Sequence, residues 1–248
     1  MRPMTGRTAF GPVVSLTMAC MVLLGGCAAN LPTYPPMSDA DALGAISARL
    51  HSVRSISASA DLSLTNAAGQ TVSLDGAFVA RPPERARLRA WKFGSPVLDL
   101  TILPEGVWAF EVSRDNSTST DMSKLPAQGV SRSIEMLSGA YFDRARPVPQ
   151  ASTSSTLVVV GPAFGREEVR CEIDRSTLTP RRFWLHGAGQ KLEIVLDAYV
   201  MVGEIAWARR MVFGAQDGTI EIRLGDIELN AEIPQNAFVP PGRAARLP

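Results

Sequence analysis

The sequence predicts a mainly β fold of the α+β class: about eleven antiparallel strands in a curved sheet, or half-barrel, that helices cover. Apolar and polar residues alternate in short runs along most of the chain, as they do in strands with one buried face. Two segments, one leading and one central, change instead to helical spacing. A single sheet of this width curls strongly, so its inner face needs the cover that the two helices supply. An orthogonal β-sandwich is the alternative architecture.

The leading helix begins after Ser38, a residue type that caps helix N-termini. Apolar residues then recur at spacings of three and four from Leu43 to Val53, which predicts an amphipathic helix of about four turns. From Ile56 onward, apolar residues occupy every second position. A turn of small residues joins this strand to a second one that ends at Ala80, so the two strands predict an antiparallel hairpin.

The remaining strand-like runs are mostly bounded by Gly, Pro or Asp residues. They lie near 84–92, 96–103, 106–112, 156–161, 166–174, 180–186, 190–200, 203–213 and 218–229. Residues 113–129 and 143–155 are polar and rich in turn residues, and the segment from Val130 to Phe142 between them has helical spacing. Because no internal repeat occurs and the linkers are short, residues 38–248 are predicted to form one domain.

The N-terminus has the three parts of a bacterial lipoprotein signal peptide, predicted over residues 1–26. A positively charged start precedes an apolar stretch that is short, and interrupted by Gly11 and Pro12, for a comfortable membrane-spanning helix. The stretch ends in Leu24-Gly25-Gly26-Cys27, which resembles the lipobox of bacterial lipoproteins. The resemblance implies that the signal peptidase recognises Leu24, Gly25 and Gly26, and that Cys27 carries the lipid. An ordinary signal peptide with a chance cysteine, or a single anchoring helix, is the alternative.

Residues 27–37 are predicted to be the lipidated cysteine and a proline-rich, semi-rigid tether. Ala28 follows the cysteine, whereas in enterobacterium-like organisms an Asp at this position retains a lipoprotein in the inner membrane. The expected location is therefore the periplasmic face of the outer membrane, with retention in the inner membrane as the alternative. The membrane becomes a partner through this anchor, because several buried acyl chains hold a protein durably.

The composition argues against several classes of function. The chain has 25 basic and 24 acidic residues, so its charge gives no reason to expect nucleic acid as a partner. Its two histidines, His51 and His186, have no cysteine or carboxylate at metal-ligand spacing, so no metal and no cofactor is expected. No motif places a nucleophile beside a base, so an enzyme is not expected. After lipidation of Cys27 the remaining Cys171 has no partner for a disulfide, and its strand phase predicts burial.

Two surface features are candidate sites. Arg85, Arg87 and Arg89 share one phase of a strand, which predicts either a solvated outer face or a basic stripe that contacts the phosphates of lipid headgroups. Phe93 and Gly94 follow at the end of this strand, directly before a proline-containing turn. Strand phase places the ring of Phe93 on the charged face. There it either covers a neighbouring ring or stands exposed at the hairpin tip as a membrane or cargo contact.

The layout and two short motifs resemble the LolA/LolB-like superfamily of periplasmic lipoprotein-localisation proteins. The segment 87–100 is similar to a strand, a Leu-Gly tip and the following strand in the outer-membrane receptor of this pathway, itself a lipoprotein. Phe93 and Gly94 occupy the Leu-Gly position. The segment 238–240, Phe-Val-Pro, is similar to the closing segment of the superfamily. The resemblance covers most of residues 38–241, and a paralogous lipoprotein on the same half-barrel is the alternative.

The resemblance implies that the inner face of the sheet forms an apolar cavity for acyl chains, with binding and hand-over but no bond chemistry. A periplasmic lipoprotein carrier and an acyl-chain ligand are then the expected partners. The expected function is that of a lipid or lipoprotein carrier or receptor in envelope biogenesis. A structural or assembly lipoprotein of the same fold and a periplasmic hydrolase are the alternatives. The residues expected to line the cavity are Leu62, Leu74, Phe78, Leu100, Ile102, Leu192, Ile194 and Ile222.

Overall fold

The computed structural model describes residues 31–111, 134–163, 167–187, 190–215 and 218–247. The predicted signal peptide lies outside these residues, together with Leu24, Gly25, Gly26 and the lipidation site Cys27. The polar stretch 113–129 also lies outside them. Within the part of the chain that is described, no helix has the length and apolar character needed to cross a membrane.

In the described residues, one antiparallel sheet of thirteen strands dominates the fold, and its two edge strands do not pair with each other. The strands are β1 (Ile56–Asn66), β2 (Thr71–Arg81), β3 (Arg85–Lys92), β4 (Ser95–Leu103), β5 (Gly106–Glu111), β6 (Arg146–Pro147), β7 (Thr156–Ala163), β8 (Glu167–Asp174), β9 (Thr179–Gly187), β10 (Gln190–Val202), β11 (Ile205–Ala215), β12 (Gly218–Leu229) and β13 (Ala245–Arg246). The predicted mainly β fold is confirmed, and the β-sandwich alternative is wrong because all the described strands belong to one sheet. The long strands correspond to the predicted ones. Strands β6 and β13 have two residues each, too few for a periodicity to reveal.

The strand order across the sheet is β13-β5-β4-β3-β2-β1-β12-β11-β10-β9-β8-β7-β6. Most neighbours follow one another in the chain and are joined by hairpins, which suits the short connections seen in the sequence. The exception at the centre is β1, which pairs with β12 and so joins the two ends of the domain. The chain leaves β5 near one edge and resumes in β6 at the other edge, and residues 134–142 lie on this connection.

The leading helix, α1 (Asp39–His51), begins where the sequence predicts. The hydroxyl of Ser38 accepts a hydrogen bond from the backbone N–H of Asp41 at 3.1 Å, which satisfies one of the free donors of the first turn. The buried apolar residues of the helix are Ala42, Leu43, Ile46 and Leu50. They join the apolar face of the sheet in one continuous core.

The predicted central helix is interrupted. Residues 134–136 are helical, a turn follows, and a short helix, α2 (Gly139–Phe142), comes after it. The break has a local cause, because the backbone N–H and the hydroxyl of Ser138 both donate to the carbonyl oxygen of Glu135. The prediction of one continuous helix is therefore wrong in this part, and its predicted start at Val130 lies outside the described residues.

Aromatic rings join α2 to the sheet. Tyr141 packs edge-to-face against Phe142 and against Phe183 of β9, with ring centres 5.0 and 5.6 Å apart. The hydroxyl of Tyr141 donates to the carbonyl oxygen of Val169 at 2.8 Å. Cys171 is fully buried, and burial raises the pKa of its thiol. The predicted burial of Cys171 is confirmed, and the raised pKa is that of an unreactive thiol.

The last residues of the predicted tether are attached to the domain. The backbone N–H of Tyr34 donates to the carbonyl oxygen of Ser176, in the turn between β8 and β9, at 2.7 Å. Tyr34 and Met37 also pack against the core. Both side chains offer apolar surface that is stabilised by burial. Tyr34 and Met37, both within the predicted tether 27–37, are therefore attached to the domain.

The C-terminal segment, residues 233–239, packs on the outer face of the sheet, the face opposite to the apolar core. Phe238 is buried there, and the guanidinium of Arg81 on β2 lies 5.7 Å from its ring centre. Arg87 of β3 donates to the carbonyl oxygen of Ala237 at 2.9 Å. The alternation of apolar and polar residues predicts that this outer face is solvent-exposed. In the structure the C-terminal segment covers part of it.

Candidate functional site

Phe93 and Gly94 form the two-residue turn between β3 and β4. Lys92 and Ser95 face each other across it, and the two turn residues have positive φ angles of 52° and 75°. Two positive φ angles are typical of a type I′ hairpin, which prefers Asn, Asp or Gly at its first position. The left-handed conformation costs a bulky residue about 1–2 kcal/mol. Phe93 is also 93 % exposed, which costs roughly 1.5–3 kcal/mol relative to burial of the ring. Both the positive φ angle and the exposure of the ring are therefore unfavourable at Phe93.

The neighbours of Phe93 are cationic and aromatic. The ammonium of Lys92 lies 6.0 Å from the centre of the Phe93 ring. The guanidinium of Arg89 lies 5.3 Å from the ring centre of Trp91, so Arg89 is the residue that stacks on this indole. The sequence left two environments open for the Phe93 ring, which either covers a neighbouring ring or is exposed at the hairpin tip. In the structure the ring is exposed.

The three arginines of β3 have different environments. Arg87 forms a bidentate ion pair with Asp99 on β4, at 2.9 and 2.7 Å, and its side chain is only 12 % exposed. Arg89 shares the same carboxylate at 3.3 Å, although about half of its side chain is exposed. Arg85 is exposed at the start of the strand. The predicted headgroup contact is therefore corrected for Arg87, which the C-terminal segment covers, whereas Arg85 and Arg89 stay accessible.

The apolar residues predicted to line a cavity lie on the buried face of the sheet. Those that are buried are Leu62, Leu74, Phe78, Leu100, Ile102, Ile194 and Ile222, and Leu192 is partly buried against the same core. Two small cavities have volumes of about 10 and 20 Å³, and Met136 and Leu137 border both. Ile194 borders the smaller one. Ligand pockets usually measure about 300–1,000 Å³, so neither cavity admits an acyl chain in this conformation.

A larger, open pocket of about 480 Å³ lies beside the hairpin tip. Phe93 and Trp91 border it, and so do the carboxylates Asp61 and Asp75, which face each other across β1 and β2. Burying an acyl chain here would remove these carboxylates from water, which is unfavourable. Leu62 and Leu74, two of the residues predicted to line a cavity, border the pocket as well, so its walls are partly apolar and partly charged.

Two unpartnered donors were not predicted from the sequence. Nε of Arg49, in the last turn of α1, and Nε1 of Trp207, on β11, are buried without a hydrogen-bond partner among the described residues. Both residues border the cavity of about 20 Å³. No sequence pattern marks them, because Trp207 stands between two alanines of an ordinary strand and Arg49 is one of many polar residues on α1.

A polar cluster connects α1 to the residue after α2. The hydroxyl of Ser47 donates to one carboxylate oxygen of Asp143, and Nε2 of His51 lies 2.7 Å from the other oxygen. These hydrogen bonds, first from Ser47 and then from His51, lower the pKa of Asp143. Because the carboxylate lies between the two, His51 is not placed to accept the serine proton, and the cluster lacks the pairing of nucleophile and base. Within the residues described, no group of three or more His, Cys, Asp or Glu side chains is arranged to hold a metal ion.

No sequence family matches the chain, and no curated protein matches it in sequence. Similarity appears among solved structures. A LolA superfamily protein from Nitrosomonas europaea superposes with a TM-score of 0.59 at 10 % identity, over 83 % of this chain and 99 % of that one. The chain has a LolA-like fold.

Two further structures share the LolA-like fold. One, from Vibrio parahaemolyticus, is described as an outer membrane lipoprotein-sorting protein domain; its TM-score is 0.56 at 12 % identity, over 80 % of this chain and 94 % of that one. The other is a DUF1329 family protein from Desulfovibrio piger, with a TM-score of 0.56 at 8 % identity, over 80 % and 95 % of the two chains. At these identities the likeness concerns the fold alone, and it does not single out the receptor branch of the superfamily.

Proposed function

We propose that this chain is a lipid-anchored envelope protein that binds lipid or lipoprotein acyl chains, as a carrier or receptor at the periplasmic face of the outer membrane. The observation that carries the proposal is Phe93, an apolar ring that is 93 % exposed and held at positive φ on a hairpin tip. Contact of this ring with a membrane or an acylated cargo would compensate both costs. The LolA-like fold and the lipobox ending at Cys27 support the same function.

The attachment of Tyr34 limits where the tip can reach. Tyr34 is bound to the turn between β8 and β9, and the strand directions put this turn at the opposite end of the sheet from Phe93. The chain from Cys27 to Tyr34 spans at most about 25 Å. The eleven residues of β1 extend over about 36 Å. While Tyr34 stays attached, Phe93 therefore meets the anchoring bilayer only if the strands are inclined toward its surface and do not stand upright on it. Contact with a cargo acyl chain has no such restriction.

Phe93→Glu should weaken vesicle binding, or the transfer of an acylated protein, about tenfold or more, because the ring's apolar contact is lost. Its melting temperature should stay within about 2 °C of the wild type, because the side chain makes no core contact. Calorimetry and a transfer assay with vesicles of outer-membrane lipid composition measure the two quantities.

Val239→Glu is the matched control. Val239 is another exposed apolar residue, 58 % exposed, on the C-terminal segment, so the variant introduces the same charge away from the tip. It should change neither quantity. A Phe93→Glu protein that melts many degrees lower would place the ring in the core, and one with normal transfer would exclude the tip from the function.

The small volumes of these two cavities favour a second candidate function, that of a structural or assembly lipoprotein of the same fold that transfers no ligand. Binding of an acyl chain at these places requires Met136 and Leu137 to move, because both residues border both cavities. Native mass spectrometry of the full-length protein separates the candidates. Co-purified lipid supports the carrier, whereas a protein that holds no lipid and takes up none from vesicles supports the structural role.

A further inference from the structure

The open pocket of about 480 Å³ beside the hairpin tip has two carboxylates without a cation in its walls. Asp61 and Asp75 face each other across β1 and β2, and both residues are exposed. Among the residues that the structure describes, neither carboxylate forms an ion pair or a hydrogen bond. Like charges directly opposite each other destabilise a sheet. A cation bound between the two carboxylates would remove this repulsion.

The other charges in the same row of the sheet are matched. Arg210 of β11 donates to Asp197 at 2.7 Å and to both oxygens of Glu221 at 3.0 and 2.9 Å. Arg223 of β12 stands opposite Asp61, but its guanidinium donates to Glu221 at 2.5 Å. The matching of cations and carboxylates across the sheet therefore stops at Asp61.

Aromatic and cationic side chains form other parts of the pocket wall. Trp91 faces Asp75 in the pairing of β2 and β3, and Phe93 borders the pocket from the hairpin tip. The faces of aromatic rings attract ammonium groups. Lys92 also borders the pocket, and its ammonium has no carboxylate partner within the described part of the chain. Because a lysine binds phosphate as a point charge, the pocket offers unmatched charges of both signs.

We propose that this pocket binds the zwitterionic group of an aminoethyl phosphate, the headgroup chemistry of ethanolamine phospholipids. The primary ammonium lies between Asp61 and Asp75, and its three N–H donors suffice for both carboxylates. The phosphate contacts Lys92. The volume of about 480 Å³ is within the usual range of ligand pockets, about 300–1,000 Å³.

The inference rests on the proposed membrane or cargo contact of Phe93 and adds the class of headgroup. Because Phe93 borders the pocket, the acyl chains of a lipid can contact the ring while its headgroup occupies the pocket. A zwitterion is favoured over a simple cation, since Lys92 repels a ligand that has no negative charge. A soluble ester such as glycerophosphoethanolamine carries the same group, and the experiment distinguishes the two sources.

Carbodiimide coupling tests the proposal on the full-length protein, because it joins a carboxylate to a primary amine in contact with it. The protein is treated in vesicles of phosphatidylethanolamine and phosphatidylglycerol, or in mild detergent with glycerophosphoethanolamine, and adducts are mapped by mass spectrometry. We expect adducts on Asp61 or Asp75. Glu84 is the matched control, because it is an exposed carboxylate in the turn at the other end of β3, and it should stay unmodified.

Three variants make the result specific. Asp61→Asn keeps the shape of the side chain and removes one charge, so the amine concentration that gives half-maximal coupling at Asp75 should rise about tenfold. Glu84→Gln should leave this concentration unchanged. Lys92→Gln should abolish the preference for an aminoethyl phosphate over ethanolamine, which lacks the phosphate.

Coupling in vesicles alone assigns a membrane headgroup and coupling with the soluble ester alone assigns a free ligand, and either result supports the inference. Equal coupling at Glu84 and in the pocket, or unchanged coupling at Asp75 in Asp61→Asn, would overturn it. The proposed function is tested separately by Phe93→Glu. If that variant loses transfer while the pocket shows no specific coupling, only the inference fails, whereas specific coupling together with normal transfer by Phe93→Glu refutes the role of the tip.

Discussion

Asp99→Ala is expected to lower the free energy of unfolding by about 3–5 kcal/mol, because it leaves the guanidinium of Arg87 buried without its counterion. The carboxylate is 8 % exposed and binds Arg87 through both oxygens, and one of them also accepts from the hydroxyl of Thr101 at 3.3 Å. Arg87 in addition holds the carbonyl of Ala237, so the loss should loosen the C-terminal segment. Urea denaturation measures the change in stability, and limited proteolysis reports the release of this segment.

Asp75→Ala is the matched control, because Asp75 is an exposed carboxylate on the same face of the sheet. It stands opposite Asp61 in the pairing of β1 and β2. Like charges in this position repel, so its removal should change the stability by less than about 0.5 kcal/mol or raise it slightly. Replacing Arg87 and Asp99 together with leucine should recover much of the loss. A loss below about 1 kcal/mol for Asp99→Ala would contradict the assignment of a buried pair.

Cys27→Ser is expected to abolish lipidation and to leave an uncleaved, misplaced precursor. The lipobox resemblance implies that Cys27 accepts the lipid and that cleavage after Gly26 depends on that modification. Each buried CH₂ contributes about 0.8 kcal/mol to membrane binding, so loss of several acyl chains is close to an all-or-none change. Incorporation of labelled palmitate and the mass of the N-terminal peptide measure the outcome.

Cys20→Ser is the control for this variant, because Cys20 lies in the apolar stretch of the same predicted signal peptide, outside the lipobox. It should be labelled and processed like the wild type. Equal palmitate incorporation in Cys27→Ser and the wild type would show that the lipobox assignment is wrong.

The sequence by itself determined the local features of this protein. Alternation places Leu88 and Ala90 on the opposite side of β3 from the arginines, and both are buried. The helix cap at Ser38 and the turn at Phe93 and Gly94 follow from residues next to each other in the chain. The number of long strands follows in the same way, since each strand carries its own periodicity. Such features depend on residues that are close together in the chain, so a local pattern in the sequence predicts them.

Only the tertiary structure decided what covers each face. Alternation shows which side Arg87 faces, but the residue that covers it, Ala237, comes 150 positions later. Arg49 of α1 and Trp207 of β11 meet at one cavity, although nothing near either of them in the sequence marks the other. Burial and ion pairing depend on which segments meet in space. The entropy cost of closing a loop rises only slowly with its length, so distant segments meet readily, and a local pattern carries no trace of that contact.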